Sequence, residues 1–339
     1  MNMKGIVCER PDRLERIDLP EPVRGEGEAI VRIRRVGICG TDMHAYKGNQ
    51  PFFSYPRILG HELAGIVEEI GKNDKGLVPG DQVSVIPYMH CGACIACRRG
   101  RPNCCVDMKV LGVHIDGGMR ERVALPVTHL IRANGLTLDQ AAVLEPLAIG
   151  AHAVRRSALE AGETALVVGG GPIGLGVMAF AKSRGANVIA MDVNEERLAF
   201  AGDWAKADHL VNALDAPGDK LREWTGGDMP TVVFDATGNA RSMTNSFQWA
   251  AHGGKLVFVG LVKADIAFSD PEFHKRELTL MGSRNATSED FDAVVEAVKS
   301  GGASAERYIT HRAPFADMIG QFEHWLKPES KVIKAMVEL

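Results

Sequence analysis

The sequence predicts an α/β protein of two domains, the first a β-rich, barrel-like domain and the second a doubly wound parallel sheet. Three observations support this prediction. The chain has 339 residues, whereas one domain usually takes roughly 100 to 200. About the first hundred residues are strand-like and punctuated by glycine and proline. From about residue 140, short apolar strands alternate with helical runs.

The strand pattern of the first domain is clearest over residues 29–36, AIVRIRRV, where apolar and charged side chains alternate. A helical run at 140–156 precedes the strands predicted for the second domain, which are 165–168, 188–191, 231–235 and 255–259. A helix is expected near 290–300 and a closing strand at 331–338. We therefore predict a first domain over 1–150 with a cysteine-bearing lobe at about 88–106, a nucleotide-binding domain over 151–285, and a return segment over 286–339 that completes the first domain.

The composition excludes several classes of protein. The chain is 45% hydrophobic and 24% charged, with a formal net charge of -4 and mixed signs. Such a chain has no basic stripe for nucleic acid and no polybasic surface for a membrane. The sequence also lacks a stretch of about 18 apolar residues and a signal-peptide pattern. We expect a cytoplasmic protein that binds neither nucleic acid nor membrane.

A glycine motif marks the dinucleotide site. Residues 164–168 form a predicted buried strand, GGGPIG follows at 169–174, and a helical run begins after it. In this strand-turn-helix context Gly169 permits the tight turn, Gly171 lets the backbone approach a pyrophosphate, and Gly174 lets helix and strand pack closely. With Pro172 and Ile173, they place the phosphates at the helix N-terminus.

Asp192, eighteen positions after Gly174, ends the next predicted strand, where a carboxylate can bind the adenosine ribose. It favours NAD over NADP because it would repel a 2′-phosphate, although Arg197 nearby is the kind of residue that binds one. Thr237 lies at the end of one later predicted strand, and Val259 and Leu261 lie at the end of another. These residues are candidate cofactor contacts, and the alternative is that they only form ordinary strand-to-helix turns.

Five of the seven cysteines fall within fifteen positions. In a reducing compartment such a cluster indicates metal binding, and a disulfide knot is the alternative. Four thiolates would close a tetrahedral zinc shell and leave no position for substrate, so the site would be structural. By spacing alone, Cys104 or Cys105 can be the fourth ligand. The predicted ligands are Cys91, Cys94 and Cys97 together with one of these two neighbours.

A second set of residues that can bind a metal ion is dispersed along the chain. It consists of Cys39, His61 with Glu62, and Glu145. A thiolate, an imidazole and one or two carboxylates make a mixed shell that can keep a position open for water or substrate, as a catalytic zinc ion requires. Singly, each residue has a structural explanation, such as a core cysteine, a satisfied buried histidine or a carboxylate at a helix start. Together they indicate a second zinc site.

The motifs GICGTDMH (37–44), GHE (60–62), the four-cysteine lobe, LEP (144–146) and GGGPIGL (169–175) resemble the zinc-dependent medium-chain alcohol dehydrogenases across essentially the whole chain. The resemblance implies a GroES-like catalytic domain and a Rossmann domain, one catalytic and one structural zinc, NAD, and a homodimer or homotetramer. It favours Cys105 over Cys104, and implies that Glu145 binds zinc directly or through water. It further implies that Thr41 contacts the alcohol and that His44 passes the proton on. Gly40 departs from liver-type members, which carry an arginine there.

Within this family the polyol and threonine dehydrogenase branch has the nearest ligand set. Residues 48–56, 112–118, 268–274 and 281–287 resemble bacterial dehydrogenases that oxidise the sugar acids L-galactonate or L-gulonate at C5. A sugar acid carries a carboxylate, for which Arg284 is the first candidate partner and His114 and Asn49 are weaker ones. Arg284 could instead contact cofactor phosphate or protein. A neutral polyol, L-threonine, or a catalytically silent nucleotide-binding role are the alternatives.

Overall fold

The computed structural model describes residues 2–50 and 53–339. Met1, Pro51 and Phe52 lie outside the described residues, and the last two belong to the 48–56 motif. The strands are β1 (Asn2–Arg10), β2 (Arg13–Pro20), β3 (Glu28–Ile38), β4 (Arg57–Ile58), β5 (Glu62–Ile70), β6 (Gln82–Val85), β7 (Tyr88–Met89), β8 (Lys109–Val110), β9 (Arg122–Pro126), β10 (Leu130–Arg132), β11 (Thr164–Val168), β12 (Asn187–Asp192), β13 (His209–Asn212), β14 (Val232–Asp235), β15 (Lys255–Phe258), β16 (Thr279–Gly282), β17 (Ile309–Pro314) and β18 (Lys334–Glu338).

The helices are mostly short. They are α1 (Gly40–Tyr46), α2 (Ile95–Arg98), α3 (Leu138–Ala142), α4 (Leu144–Ser157), α5 (Pro172–Ser183), α6 (Glu195–Trp204), α7 (Pro217–Trp224), α8 (Ala240–Asn245), α9 (Asp270–Lys275), α10 (Ser288–Lys299), α11 (Ala305–Tyr308) and α12 (Met318–Trp325). Of the helices in the described residues, none has the length and apolar character needed to cross a membrane.

The chain divides into two units. The first runs to Glu145 and resumes with Thr287–Lys299 and Ala305–Leu339, and the second comprises Pro146–Ala286 and Ser300–Ser304. The predicted boundary at 150 therefore lies five residues late, inside α4. The predicted return segment 286–339 also differs from the structure, because Ser300–Ser304 belongs to the second unit, where the backbone carbonyl of Ser304 accepts a hydrogen bond from the Trp204 indole at 2.8 Å.

The first unit is built mainly from β-strands. Its largest sheet has the order β10-β6-β5-β3-β18-β17, with β9 also paired to β3, and smaller sheets join β2-β1-β4 and β7-β8. All pairs except the parallel β17–β18 are antiparallel. In β3 the apolar residues of 29–36 are buried and the arginines are not, although register shifts against β5 interrupt a strict alternation. Val31, Ile33 and Val36 enter the core together with Leu63 and Val83.

The second unit has one parallel sheet in the order β13-β12-β11-β14-β15-β16. This is the 3-2-1-4-5-6 order of doubly wound dinucleotide-binding folds, and its central strands are buried on both faces, as parallel strands are. Leu166, Ile189, Val233 and Leu256 lie in its core. The predicted α/β class is confirmed. Two strands of this sheet, β13 and β16, were not predicted. Three of the four residues of β16 are exposed, and they carry no continuous apolar run.

Candidate metal and cofactor sites

Three of the predicted zinc ligands meet in the first unit. Cys39 follows β3, while His61 and Glu62 stand at the start of β5, which pairs antiparallel with β3. One ligand atom from each of these three side chains lies within 4.8 Å of the other two. His61 and Glu62 are buried and Cys39 is half-buried. Two neighbouring strands thus bring a thiol, an imidazole and a carboxylate together, although Cys39 is more than twenty positions from the other two residues in the sequence.

Gly37 makes this convergence possible. It is paired with Glu62 across β3 and β5, and a Cβ atom built at Gly37 would stand 2.1 Å from Glu62 Oε2. Any side chain at position 37 would therefore displace the carboxylate. The first glycine of the GICGTDMH motif, Gly37, is therefore required by the position of the Glu62 side chain.

Asp42 supports the same site and was not identified as a functional residue in the sequence. It is buried, its Oδ2 accepts a hydrogen bond from the Cys39 amide at 2.9 Å, and its Oδ1 accepts one from the Gly60 amide at 3.2 Å. Burial raises the pKa of Asp42, against the opposing effect of His61. Its position three residues after the helix-capping Cys39 is a recognisable capping pattern, and this signal could have identified it.

A buried lysine, Lys334 on β18, pairs with Glu62. Its ammonium lies 2.6 Å from Oε1 and 2.8 Å from Oε2, and it also donates to the Ile38 carbonyl at 3.1 Å. Burial alone would lower the pKa of Lys334, but the negative charges of Glu62 and Cys39 raise it. Sequence reasoning placed this lysine in a closing strand and gave it no role, because the partner is 272 positions away.

Glu145 is buried at the start of α4, beside the three ligands but not within their compact group. Its Oε1 accepts a hydrogen bond from the buried Tyr88 hydroxyl, and its Oε2 has no hydrogen-bond partner among the described residues. Burial raises the pKa of Glu145 to about 7, against the lowering effect of His61. Tyr88 was not predicted and has no signal in the sequence.

The residues present fit a zinc ion. The donor set of thiolate, imidazole and carboxylate is one that zinc prefers. The buried His61 Nδ1 and Glu145 Oε2 lack hydrogen-bond partners in the described part of the chain, which is costly unless another group completes the site. Burial by itself lowers the pKa of His61, yet the negative charges of Asp42 and Cys39 raise it well above its usual value. The site therefore attracts positive charge.

The cysteine lobe forms a second compact group, in which ligand atoms of Cys91, Cys94, Cys97 and Cys105 all lie within 4.8 Å of one another. The Sγ–Sγ distances are 3.5 Å for Cys94–Cys97, 3.9 Å for Cys94–Cys105 and 3.5 Å for Cys91–Cys105. These are far longer than the S–S bond of about 2.05 Å, so the thiols are not paired as disulfides.

The ligand atoms that lie together belong to Cys105 and not to the exposed Cys104, so Cys105 is the fourth member of the group. Hydrogen bonds from the backbone amides of Cys97 and Val106 lower the pKa of Cys94 to about 6. Backbone donors that stabilise a thiolate also suit a zinc-bound sulfur. The lobe fits a structural zinc ion held by four thiolates.

In the second unit, the glycine turn links β11 to α5. Gly169 has a φ of +103°, which favours glycine, and a Cβ at Gly174 would stand 1.8 Å from the Gly169 carbonyl oxygen. A Cβ at Gly171 would meet no atom within 4 Å. Gly169 and Gly174 are therefore required by the turn itself, whereas the open space at Gly171 fits an approaching ligand. Pro172 and Ile173 form the half-buried first turn of α5.

The other predicted cofactor residues lie at the carboxyl ends of adjacent strands. Asp192 ends β12, is buried, and accepts hydrogen bonds from the Gly170 amide at 2.6 Å and the Asn194 amide at 2.9 Å. Thr237 follows β14 and is exposed, and Val259 and Leu261 follow β15, with Leu261 also exposed. This edge, at the reversal of strand order between β11 and β14, is where open α/β sheets bind ligands. Arg197 is exposed on α6.

The predicted substrate residues are distributed over both units. Asn49 is exposed after α1, and its amide donates to the His44 carbonyl at 2.8 Å. His114 is half-buried, and its Nδ1 accepts a hydrogen bond from the Val110 amide at 3.1 Å. Arg284 is exposed after β16 in the second unit. Thr41 and His44 lie three residues apart on α1, where side chains share one face.

Known protein families match both parts of the chain. Residues 25–135 match the alcohol dehydrogenase GroES-like domain, and residues 172–300 match the zinc-binding dehydrogenase family. The chain is 45% identical to L-galactonate-5-dehydrogenase of Escherichia coli K12, covering 99% of this chain and 98% of that one. It is 35% identical to 2-dehydro-3-deoxy-L-galactonate 5-dehydrogenase of Pseudoalteromonas atlantica, covering 92% of each.

Among solved structures, the alcohol dehydrogenase RspB of E. coli CFT073 in complex with NADH superposes with a TM-score of 0.92 at 29% identity, covering 100% of this chain and 99% of that one. The fold, the two metal-binding groups and these matches define an oxidoreductase that uses zinc and a nicotinamide cofactor. The chain belongs to the zinc-dependent medium-chain alcohol dehydrogenase family, as the sequence motifs predicted.

Proposed function

We propose that the protein oxidises a secondary alcohol of a sugar acid to a ketone with NAD, as an L-galactonate or L-gulonate 5-dehydrogenase does. The observation that carries this proposal is the convergence of Cys39, His61 and Glu62 next to α1, in a chain 45% identical over nearly its whole length to an L-galactonate-5-dehydrogenase. A second relative is named for a related galactonate substrate. Both matches support a sugar acid over other alcohols.

In the proposed catalytic centre, Cys39, His61 and Glu62 would hold zinc, and Glu145 would bind it directly or through water. When bound, zinc is a Lewis acid that lowers the pKa of the alcohol, and NAD accepts the hydride. The alcohol thus loses one hydride and one proton and becomes a ketone. Thr41 would accept the hydroxyl proton, and the exposed His44, one turn further along α1, would pass it to solvent.

We propose NAD rather than NADP as the cofactor. The supporting observation is the buried Asp192 carboxylate at the end of β12, whose negative charge would repel a 2′-phosphate. The phosphates would lie on the turn of Gly169, Gly171 and Gly174 and at the start of α5. The RspB structure contains NADH. Comparing kcat/KM for NAD and NADP tests this choice, and a preference for NADP would assign a phosphate-binding role to Arg197.

Arg284 is the proposed partner of the substrate carboxylate, with His114 and Asn49 as further polar contacts. A guanidinium matches the two oxygens of a carboxylate. Arg284→Ala should raise KM for a sugar acid by about tenfold or more, the scale of one lost charge-assisted contact, and raise KM for a neutral polyol of equal length much less. Equal effects on both substrates would indicate that Arg284 serves the cofactor or the fold.

A substrate panel tests the proposed function as a whole. NADH formation should be fastest with L-galactonate or L-gulonate and slower with other C5 and C6 sugar acids. Faster turnover of a neutral polyol or of L-threonine would assign the enzyme to the polyol or threonine dehydrogenase branch instead. Metal analysis should give two zinc ions per chain, and one of them should be lost in a Cys39→Ser variant.

We also propose that the protein is a homodimer or homotetramer that works in the cytoplasm. Supporting the first point, β16 is an edge strand of the second sheet and carries the partly exposed Leu280, and an open strand edge favours pairing with another strand. Supporting the second, the reduced thiols of the cysteine lobe suit a reducing compartment. Sedimentation equilibrium measures the subunit number, and a monomer would contradict the proposal.

A further inference from the structure

Lys334 is a buried cation whose contacts all belong to the metal site. Its ammonium has three protons, and the structure gives it three acceptors: both oxygens of Glu62, at 2.6 and 2.8 Å, and the carbonyl of Ile38, at 3.1 Å. Its side chain is 2% exposed and that of Glu62 is not exposed at all. Ile38 directly precedes Cys39 in the chain. The lysine therefore ties one proposed ligand to the backbone next to another.

The ion pair between Lys334 and Glu62 joins two strands that are separated by a third. β3 lies between β5, which carries Glu62, and β18, which carries Lys334. The Glu62 side chain reaches across β3 at Gly37, where a Cβ atom would stand 2.1 Å from Oε2. Three strands thus cooperate in one ion pair, and a glycine in the middle strand provides the space for it. An incidental surface pair would not require such a passage.

The charges in the site explain what the lysine can contribute. Cys39, Glu62 and Glu145 are acidic groups gathered in a region shielded from water, where unbalanced charge of one sign is strongly unfavourable. A divalent ion balances two negative charges when it is bound. Before it binds, Lys334 is a cation that contacts one of these groups, Glu62, directly.

We propose that Lys334 is a resident counter-cation that balances the charge of Glu62 in the zinc-free protein until the zinc ion binds. This inference rests on the proposed zinc site and makes Lys334 a positioning residue rather than a catalytic one. Since the ammonium and the metal ion attract the same carboxylate and repel each other, the lysine stabilises the zinc-free protein and lowers the affinity of the site for zinc.

The test compares Lys334→Met, which keeps the length of the side chain and removes its charge, with the wild-type protein. Lys47→Met is the matched control, because Lys47 is an exposed lysine of the same unit that pairs with Asp12 on the surface. Each protein is depleted to one zinc per chain by a chelator and then titrated with zinc against a chromophoric competitor. Thermal unfolding is recorded before and after.

Depleted Lys334→Met should unfold at a lower temperature than depleted wild type, and zinc should raise its Tm by more. Its zinc affinity should be about tenfold higher, because the repulsion between the ammonium and the metal ion is lost. Lys334→Arg, which keeps the charge, should resemble wild type. Unchanged or weaker zinc binding in Lys334→Met, or an unchanged Tm of its depleted form, would overturn the proposal.

A second variant guards against misfolding of Lys334→Met. In Lys334→Met/Glu62→Gln both charges are removed, so the double variant should recover much of the stability that Lys334→Met loses in zinc-depleted protein. A double variant no more stable than Lys334→Met would show that charge balance is not the role of the lysine. If the wild-type protein binds only one zinc and Cys39→Ser retains it, the proposed function fails, while the zinc-depleted comparison still tests the ion pair.

Discussion

The Asp42 Oδ1 atom lies 3.9 Å from the His61 Nδ1 atom, and both side chains are buried in the first unit. Asp42 also accepts hydrogen bonds from the backbone amides of Cys39, a proposed ligand, and of Gly60, which directly precedes the proposed ligand His61. One carboxylate therefore holds the loop that carries the thiol through two hydrogen bonds and places its negative charge beside the imidazole ring. A negative charge close to a ligand histidine favours the binding of a cation to that ligand.

Replacement of Asp42 should weaken zinc binding at the proposed catalytic site. We expect Asp42→Asn to lower the affinity by about 10- to 100-fold, because the amide cannot supply the negative charge beside His61. Competition with a chromophoric chelator measures the effect. Asp12→Asn, which removes only an exposed pair with Lys47, is the control and should leave the affinity unchanged. Equal affinities in both variants would contradict the role assigned to Asp42.

Two glycines of the cofactor turn should respond differently to alanine. Gly174→Ala places a methyl group 1.8 Å from the Gly169 carbonyl oxygen and should reduce the free energy of unfolding by about 1–3 kcal/mol or more. Gly171→Ala meets no protein atom within 4 Å, so stability should hold while NADH binding weakens by at least about tenfold, or about 1.4 kcal/mol. Fluorescence titration with NADH and urea unfolding separate the two effects. Unchanged NADH affinity in Gly171→Ala would place the pyrophosphate elsewhere.

The two neighbouring cysteines 104 and 105 should differ in their effect on the structural zinc. Cys105→Ser removes a member of the four-thiol group and should cost one zinc ion per chain and more than about 2 kcal/mol of stability, since loss of a structural metal is among the large destabilising changes. Cys104→Ser changes an exposed thiol outside the group and should keep both zinc ions. Metal analysis of the two purified variants decides the assignment, and it would be reversed if Cys104→Ser lost the ion.

A buried histidine should make the first unit sensitive to acid. Burial lowers the pKa of His129 from 6.5 to about 4, with a further contribution from the nearby His90. The folded protein therefore binds this proton less readily than the unfolded chain, so stability is retained above pH 6.5 and falls as the pH drops toward 4. Each pKa unit corresponds to about 1.4 kcal/mol, so the loss reaches up to about 3 kcal/mol.

His129→Gln should flatten this decline while retaining a donor for the Tyr88 carbonyl, which His129 Nε2 contacts at 3.3 Å. Urea unfolding at pH 7, 6, 5 and 4 measures the slope for each protein. The exposed His252→Gln is the control and should follow wild type. Parallel curves for wild type and His129→Gln would show that other groups cause the acid sensitivity.

Local patterns in the sequence were enough to predict the fold class and much of the candidate site. The turn at 169–174 depends on residues within one strand-turn-helix unit, and the cysteine lobe closes within fifteen positions, so spacing predicts both. The dispersed ligands Cys39, His61, Glu62 and Glu145 were identified by residue type and family resemblance, and the first three of them form one compact group.

Only the tertiary structure decided which groups surround those ligands. The pairing of Lys334 with Glu62, the hydroxyl of Tyr88 on Glu145 and the return of Ser300–Ser304 to the second unit join segments that are far apart in sequence. Such contacts depend on strand order and register, which arise when the whole core packs, and no short pattern of residues encodes them. Thus the sequence predicted the metal ligands, and the packing of β18, β3 and β5 determined which charged groups surround them.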